Sequence, residues 1–132
     1  MTNQEIFDRV ARHLLTQGKA SYDATRGMCM YRGPDGLKCA AGILILDNAY
    51  DPSLEGKMAE ELPASTQAAM GLEDEHAVEI VRHLQSIHDN WNACLWARCL
   101  RGTANRFNLS FAVVNDLDVE FFEEVNILVE GD

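Results

Sequence analysis

No stretch of this chain approaches the ~18 consecutive apolar residues that a bilayer crossing demands, so no membrane association is expected. It has no C-x-x-C pair, no H-E-x-x-H, no G-x-x-x-x-G-K-[ST] loop and no G-x-G-x-x-G turn. Tight zinc pairs, a metalloprotease helix and a phosphate-cradling backbone loop are therefore not announced. Asp47, Asp51 and Glu55 lack the D-x-[DN]-x-[DN]-G grammar of a calcium loop and read as part of a connector. Basic residues stop at Arg106, whereas seven acids fall between positions 116 and 132. The N-terminus, MTNQEIFDR, is polar and amphipathic rather than secretory, and the expected location is a cytoplasm. There the four cysteines, Cys29, Cys39, Cys94 and Cys99, should be reduced thiols.

What is present suits one domain. The chain has 132 residues, of which 47% are apolar, enough for a real core. Its net charge of −10 is unevenly spread. Residues 1–40 carry six Lys/Arg against four Asp/Glu, a net of +2, and residues 41–132 carry five against seventeen, a net of −12. An acidic bulk repels nucleic acid, so direct nucleic-acid binding is not expected. It suits a basic partner, or serves solubility alone.

The chain is organised around residues 28–46, MCMYRGPDGLKCAAGILIL. Gly33-Pro34-Asp35-Gly36 has turn chemistry, with Pro34 preset for a first central position and Gly36 free to take positive φ. A short two-stranded ribbon over about 28–39 fits, provided a helix packs on it. Residues 39–46 form an uncharged apolar run, and Ala40, Ala41 and Gly42 favour a short buried helix.

Around this stretch the helical signals are plain. Thr2-x-x-Glu5 is a capping box; Ile6, Phe7, Val10, Ala11, Leu14 and Leu15 share a face, and Gly18 ends the helix. His13 falls off that face and reads as a solvated histidine. Residues 19–27 read as loop. Residues 53–62 and 65–70 suggest short helical pieces, separated by Pro63. Residues 72–89 form a helix burying Ala77, Ile80, Val81, Leu84 and Ile87. A second helix, burying Ala93, Trp96, Ala97, Leu100, Ala104 and Phe107, pairs with it as an antiparallel hairpin. Trp91 is expected to pack beneath the corner between them. The fold class is thus mainly α: four to six helices around a short β-hairpin, with residues 1–109 as the core and 110–132 as an acidic segment. That segment is packed on the core or lies at an interface, and its apolar side would suit a homodimer.

Three chemistries compete with simple packing. Cys39, if it opens a helix beside Lys38, has a thiolate-favouring setting, and His88 with Asp89 supplies a base and its orienter, the parts of a small hydrolase. Burial of Cys39 as a small hydrophobe is the stronger reading, and no catalytic residue is assigned. Arg26, Tyr31, Arg32 and Lys38, with His88 and Asp89 nearby, form a candidate ligand or partner site, able to hold a nucleotide by charge and stacking. Asp116, Asp118, Glu120, Glu123 and Glu124 form a candidate acidic surface for a basic partner. No metal and no cofactor are expected.

Several segments together resemble a family. HLLTQGKAS, CMYRGPDGLKCAAGILI, Tyr50-x-x-x-Leu54-Glu55-Gly56, LQSIHDNW and Trp96-x-x-x-Leu100-x-x-x-Ala104 are similar to small accessory proteins carried by bacteriophages and prophages. The likeness spans residue 4 to about 109 and leaves out the acidic tail. It carries over no functional residues. It implies a context: small acidic phage proteins that bind and block a host factor, including antiviral defence components. The leading expectation is therefore a non-enzymatic inhibitor or modulator of a host protein, with a nucleotide-signal sponge as the alternative.

Overall fold

The computed structural model describes residues 1–118. Helix α1 (Asn3–Gln17) is its axis. Thr2 Oγ1 accepts the Glu5 N–H at 3.1 Å and Glu5 returns a bond to the Thr2 N–H at 3.0 Å, closing the capping box. These bonds hold the Glu5 carboxyl below its ordinary pKa. Gly18 stops the helix at φ 70°, where its N–H reaches the Leu14 carbonyl. Ile6, Phe7, Val10, Ala11 and Leu14 are wholly buried.

Helix α3 (Glu75–Asn90) starts at Asp74, whose side chain accepts the Ala77 N–H. Helix α4 (Trp96–Arg106) follows after a short link. The two run antiparallel. His76 and His83 of α3 meet the ring of Phe107, which follows α4, edge-on. At the other end His88 stacks on Trp96 at 5.6 Å. Short helices α2 (Ala64–Ala69) and α5 (Ala112–Leu117) are the other α-helices among the described residues, and α5 adds Val113 and Val114 to the core against α1 and α4. Among the described residues the fold is mainly α with one small antiparallel hairpin, and no helix is long and apolar enough to cross a membrane.

The hairpin sits earlier than the turn chemistry suggests. Strands β1 (Tyr22–Asp23) and β2 (Met28–Cys29) pair Tyr22 with Cys29 and Asp23 with Met28, so β1 falls inside the segment that reads as loop. The Gly33–Gly36 turn closes through a single bridge, Arg32 with Lys38. Asp35 as well as Gly36 takes positive φ there, a conformation that Asp tolerates. Residues 40–46 are largely buried but make one 3-10 turn, Gly42–Leu44, instead of a helix. The small residues do serve close approach: a Cβ on Gly42 would lie 2.3 Å from the Tyr31 carbonyl oxygen. The stretch 53–62 becomes two 3-10 turns, Pro52–Leu54 and Ala59–Glu61.

An irregular segment must still satisfy its backbone polar groups. Here side chains do it. Gln17, at the end of α1, donates to the Lys38 carbonyl and accepts the Lys38 N–H. Gln85 on α3 accepts the Ala41 N–H. Glu55 takes the N–H groups of both Tyr31 and Arg32, and the Tyr50 hydroxyl as well. His13 is not a solvated histidine: its Nε2 meets the Lys38 carbonyl at 2.8 Å, and burial pulls its pKa below the ordinary value. Trp91, in contrast, is exposed; its carbonyl accepts the Trp96 indole N–H.

Candidate functional site

A cleft of about 620 Å³ opens between the hairpin and the second half of α3. On α3 its wall is the stripe Arg82, Gln85, Ser86 and Asp89, positions i, i+3, i+4 and i+7 that share one helix face. Facing it are Met28 and Cys29 of β2 and the segment from Gly56 to Ala59. Gly56 takes φ +82°, which a residue with a Cβ would adopt only with strain. Tyr31 contributes a buried ring, and its hydroxyl donates to the Lys57 carbonyl, fixing that segment in place. Met58 is more than half exposed at the rim.

One polar network stiffens the wall. The Ser21 N–H donates to His88 Nε2 at 2.8 Å. A backbone N–H can only donate, so Nε2 is the acceptor and the ring proton sits on Nδ1. Nδ1–H then donates to Asp89 Oδ1 at 2.7 Å, and the Gln85 amide donates to the same oxygen at 2.8 Å. The Cys29 thiol is the third donor to Asp89. Burial first, and the Asp89 charge second, push that thiol up to about 11.

Among the described residues, the ligand atoms of Cys29, His88 and Asp89 lie within 4.8 Å of one another, the one grouping with metal-ligating chemistry. Its hydrogen bonds argue against that use. With Nε2 occupied by a backbone donor and Nδ1 protonated toward Asp89, the imidazole has no lone pair to offer a cation.

The six residues proposed from sequence as a ligand site divide. Tyr31 and Asp89 line the cleft, and His88 lies buried behind Asp89. Arg26, Arg32 and Lys38 do not line it. Arg32 and Lys38 sit at a separate corner with Asp47 and Tyr50, where the Arg32 guanidinium pairs with Asp47, donates to the Ile45 carbonyl at 2.7 Å and lies 5.0 Å over the Tyr50 ring. Arg32 and Lys38 together hold Asp47 below the usual carboxylate range, and Arg26 is exposed nearby, its charge reaching Tyr50. The cationic loop thus has its own internal counterion. Cys39 is almost fully buried, accepts the Gly42 N–H, and has its thiol pushed up to about 12 by burial. That setting opposes a thiolate.

Of the proposed acidic surface, Asp116 is exposed on α5 and Asp118 pairs with Arg101 at 2.7 Å; Glu120, Glu123 and Glu124 lie outside the described residues. Carboxylates do converge elsewhere. Glu60, Glu73, Asp74, Glu75 and Glu79 surround a second groove at the start of α3. Sequence reasoning missed Cys29, Lys57, Met58 and Arg82 as cleft residues. A signal existed for Arg82: with Gln85, Ser86 and Asp89 it makes a polar stripe beside the apolar face of α3.

No protein-family model, curated protein or solved structure matches the chain.

Proposed function

We propose that this chain is a non-enzymatic binding protein that takes a small anionic molecule into the cleft between the hairpin and α3. One observation carries the reading: Lys57 and Arg82 both border this cavity, and neither makes an ion pair among the described residues. On a protein of net charge −10, two such cations beside one cleft are a natural seat for phosphate or carboxylate. The apolar part of the cleft, Met28, Met58 and Tyr31, suits the body of an organic ligand. This is the sponge-like alternative, moved from the Arg32 corner to the α3 cleft. Thermal-shift screening against nucleotides, sugar phosphates and inorganic phosphate tests it, since ligand at 100 times its Kd adds about 2.7 kcal/mol. No shift with any anion at millimolar concentration refutes it.

The groove of five carboxylates favours a second reading, a phage-type accessory protein that blocks a host factor through that factor's basic surface. Asp74 caps α3 and Glu73 meets the chain's amino terminus, so both also have local work. The test is capture from host lysate with the native chain and with a Glu75→Lys/Glu79→Lys variant. A partner retained only by the native chain supports this reading; equal retention removes it.

A further inference from the structure

We propose that the hairpin is a pH-sensitive flap at the edge of this cleft, latched to α3 by the neutral ring of His88 and released when that ring takes a second proton. The flap works whatever the cleft holds, so it stands apart from the small-anion reading above.

The latch bond is directional. The Ser21 N–H reaches Nε2 at 2.8 Å, and this contact exists only while Nε2 keeps its lone pair. An imidazolium donates from both nitrogens. A proton on Nε2 would point at the Ser21 proton, and attraction becomes repulsion. The other half of the network responds in the opposite sense. Nδ1–H already meets Asp89 Oδ1 at 2.7 Å, and a charged ring makes that bond charge-assisted. Protonation therefore holds His88 on α3 while it severs the hairpin from α3. Ser21 is fully buried, so its N–H has to move to find a new partner.

Little else holds the hairpin down. Strands β1 and β2 have two residues each, and so short a ribbon is marginal by itself. Tyr22, Ala24, Thr25, Arg26 and Gly27 are exposed. Among the described residues, the other hydrogen bond from residues 21–29 to α3 is the weak thiol donor of Cys29 to Asp89. Few buried contacts and one polar tie are the marks of a segment that opens locally. The two ends of the flap are joined, since the Met30 N–H donates to the Ser21 carbonyl at 2.8 Å. Beyond Met30 the chain is fixed, with the Tyr31 and Arg32 N–H groups on Glu55. Because β2 supplies Met28 and Cys29 to the cleft, opening the flap removes one of its walls.

The groups facing His88 leave it as the switch. Asp89 is the near counterion on α3. Cys29 on β2, with Cys39 and Tyr31 behind it, has its pKa raised by burial, and all three stay neutral as the solution is acidified. Trp96 on α4 stacks without charge. His13 on α1 is the facing cation when protonated, and each ring's charge disfavours the other's. Yet His13 breaks nothing by titrating. Its Nε2 meets a carbonyl, which can only accept, so Nε2 already carries a proton and the second lands on Nδ1.

The test is amide hydrogen exchange by NMR on the full chain between about pH 8 and pH 5, a range that spans ordinary histidine titration, with each rate divided by its intrinsic rate at that pH. Ring nitrogen shifts report when His88 takes its second proton. Across that step the protection of the Ser21 amide should fall at least roughly tenfold, while amides in the middle of α3 keep theirs. Asp89→Asn leaves an oxygen for Nδ1–H but removes the charge that favours imidazolium, so the loss should move to lower pH by about one unit or more. His88→Gln can accept the Ser21 N–H without titrating and should make protection independent of pH. Should that variant not fold, the native chain and Asp89→Asn carry the test between them. Three results overturn the latch: Ser21 protection that survives charging of His88, a His88 ring still neutral at the acid end, or a loss shared by α3, which is unfolding. An Asp89→Asn variant that opens at the native pH overturns it too.

Discussion

Removing the imidazole of His88 would strip partners from several groups at once. The Ser21 N–H loses its acceptor, Asp89 loses its closest donor, and the Trp96 ring loses the surface it stacks on. His88 is buried, so water cannot simply replace these contacts. His88→Ala should therefore lower stability by about 2–4 kcal/mol, the sum of a small cavity and an unsatisfied buried donor. Urea unfolding measures it, and a loss under ~0.5 kcal/mol, the level of an ordinary surface change, would show the network to be incidental. The thiols make a second test at this scale. Cys94 is exposed, Cys29 and Cys99 are partly covered, and Cys39 is buried. Burial raises the pKa of Cys29, Cys39 and Cys99 alike, and only thiolate alkylates. Iodoacetamide at neutral pH should label Cys94 first and Cys39 only on unfolding, as peptide mapping would read. Fast native labelling of Cys39 would revive it as a nucleophile. The sequence pointed to Cys39 because Lys38 and an expected helix start flank it. Nothing in it singled out Cys29, because that residue meets Asp89 only when the hairpin folds onto α3.

Among the elements, the three long helices were legible and the segment between them was not, for one reason. In α1, α3 and α4 burial repeats every three or four residues, so the hydrophobic pattern is the structure. In residues 18–63 the conformation is set by bonds from outside the segment, from Gln17, Gln85 and His88, and by Glu55 reaching back across it. No local period encodes a partner that arrives from another helix. The same contrast decides two glycine substitutions. Gly42 abuts the Tyr31 backbone, so Gly42→Ala forces one of the two segments to move and should destabilise by about 1–3 kcal/mol. Gly102 lies exposed within α4, and a methyl there would find no atom within 4 Å. Gly102→Ala should therefore stabilise by about 0.5–1 kcal/mol. Thermal unfolding of the pair checks both signs together. A neutral Gly42→Ala would mean that the 42–44 turn is not held against Tyr31.

For the molecule as a whole, two electrostatic effects oppose each other, and salt separates them. Net charge −10, with five carboxylates about one groove, disfavours the compact state by self-repulsion. At pH 7 the melting temperature should therefore rise between about 20 and 200 mM NaCl, as the Debye length shortens. Acidification relieves the same repulsion, but it also charges histidines that the fold prefers neutral. Burial lowers the pKa of both His13 and His83, in the latter helped by Arg106. The unfolded chain then binds more protons near pH 6.5, so this part of the stability is present above that value and lost as pH falls through the folded values. Glu5, Asp47 and Asp51, each lowered by hydrogen bonds, act with the same sign lower down: their contribution is present above about pH 4 and lost below it. In about 0.5 M NaCl, where repulsion is already screened, stability should fall from pH 7 to 5, and His13→Gln should flatten that fall. A glutamine can still donate to the Lys38 carbonyl that His13 uses, so the variant removes the titration while keeping the contact. A pH profile unchanged by the substitution would place the acid sensitivity in other groups and leave His13 as a packing residue alone.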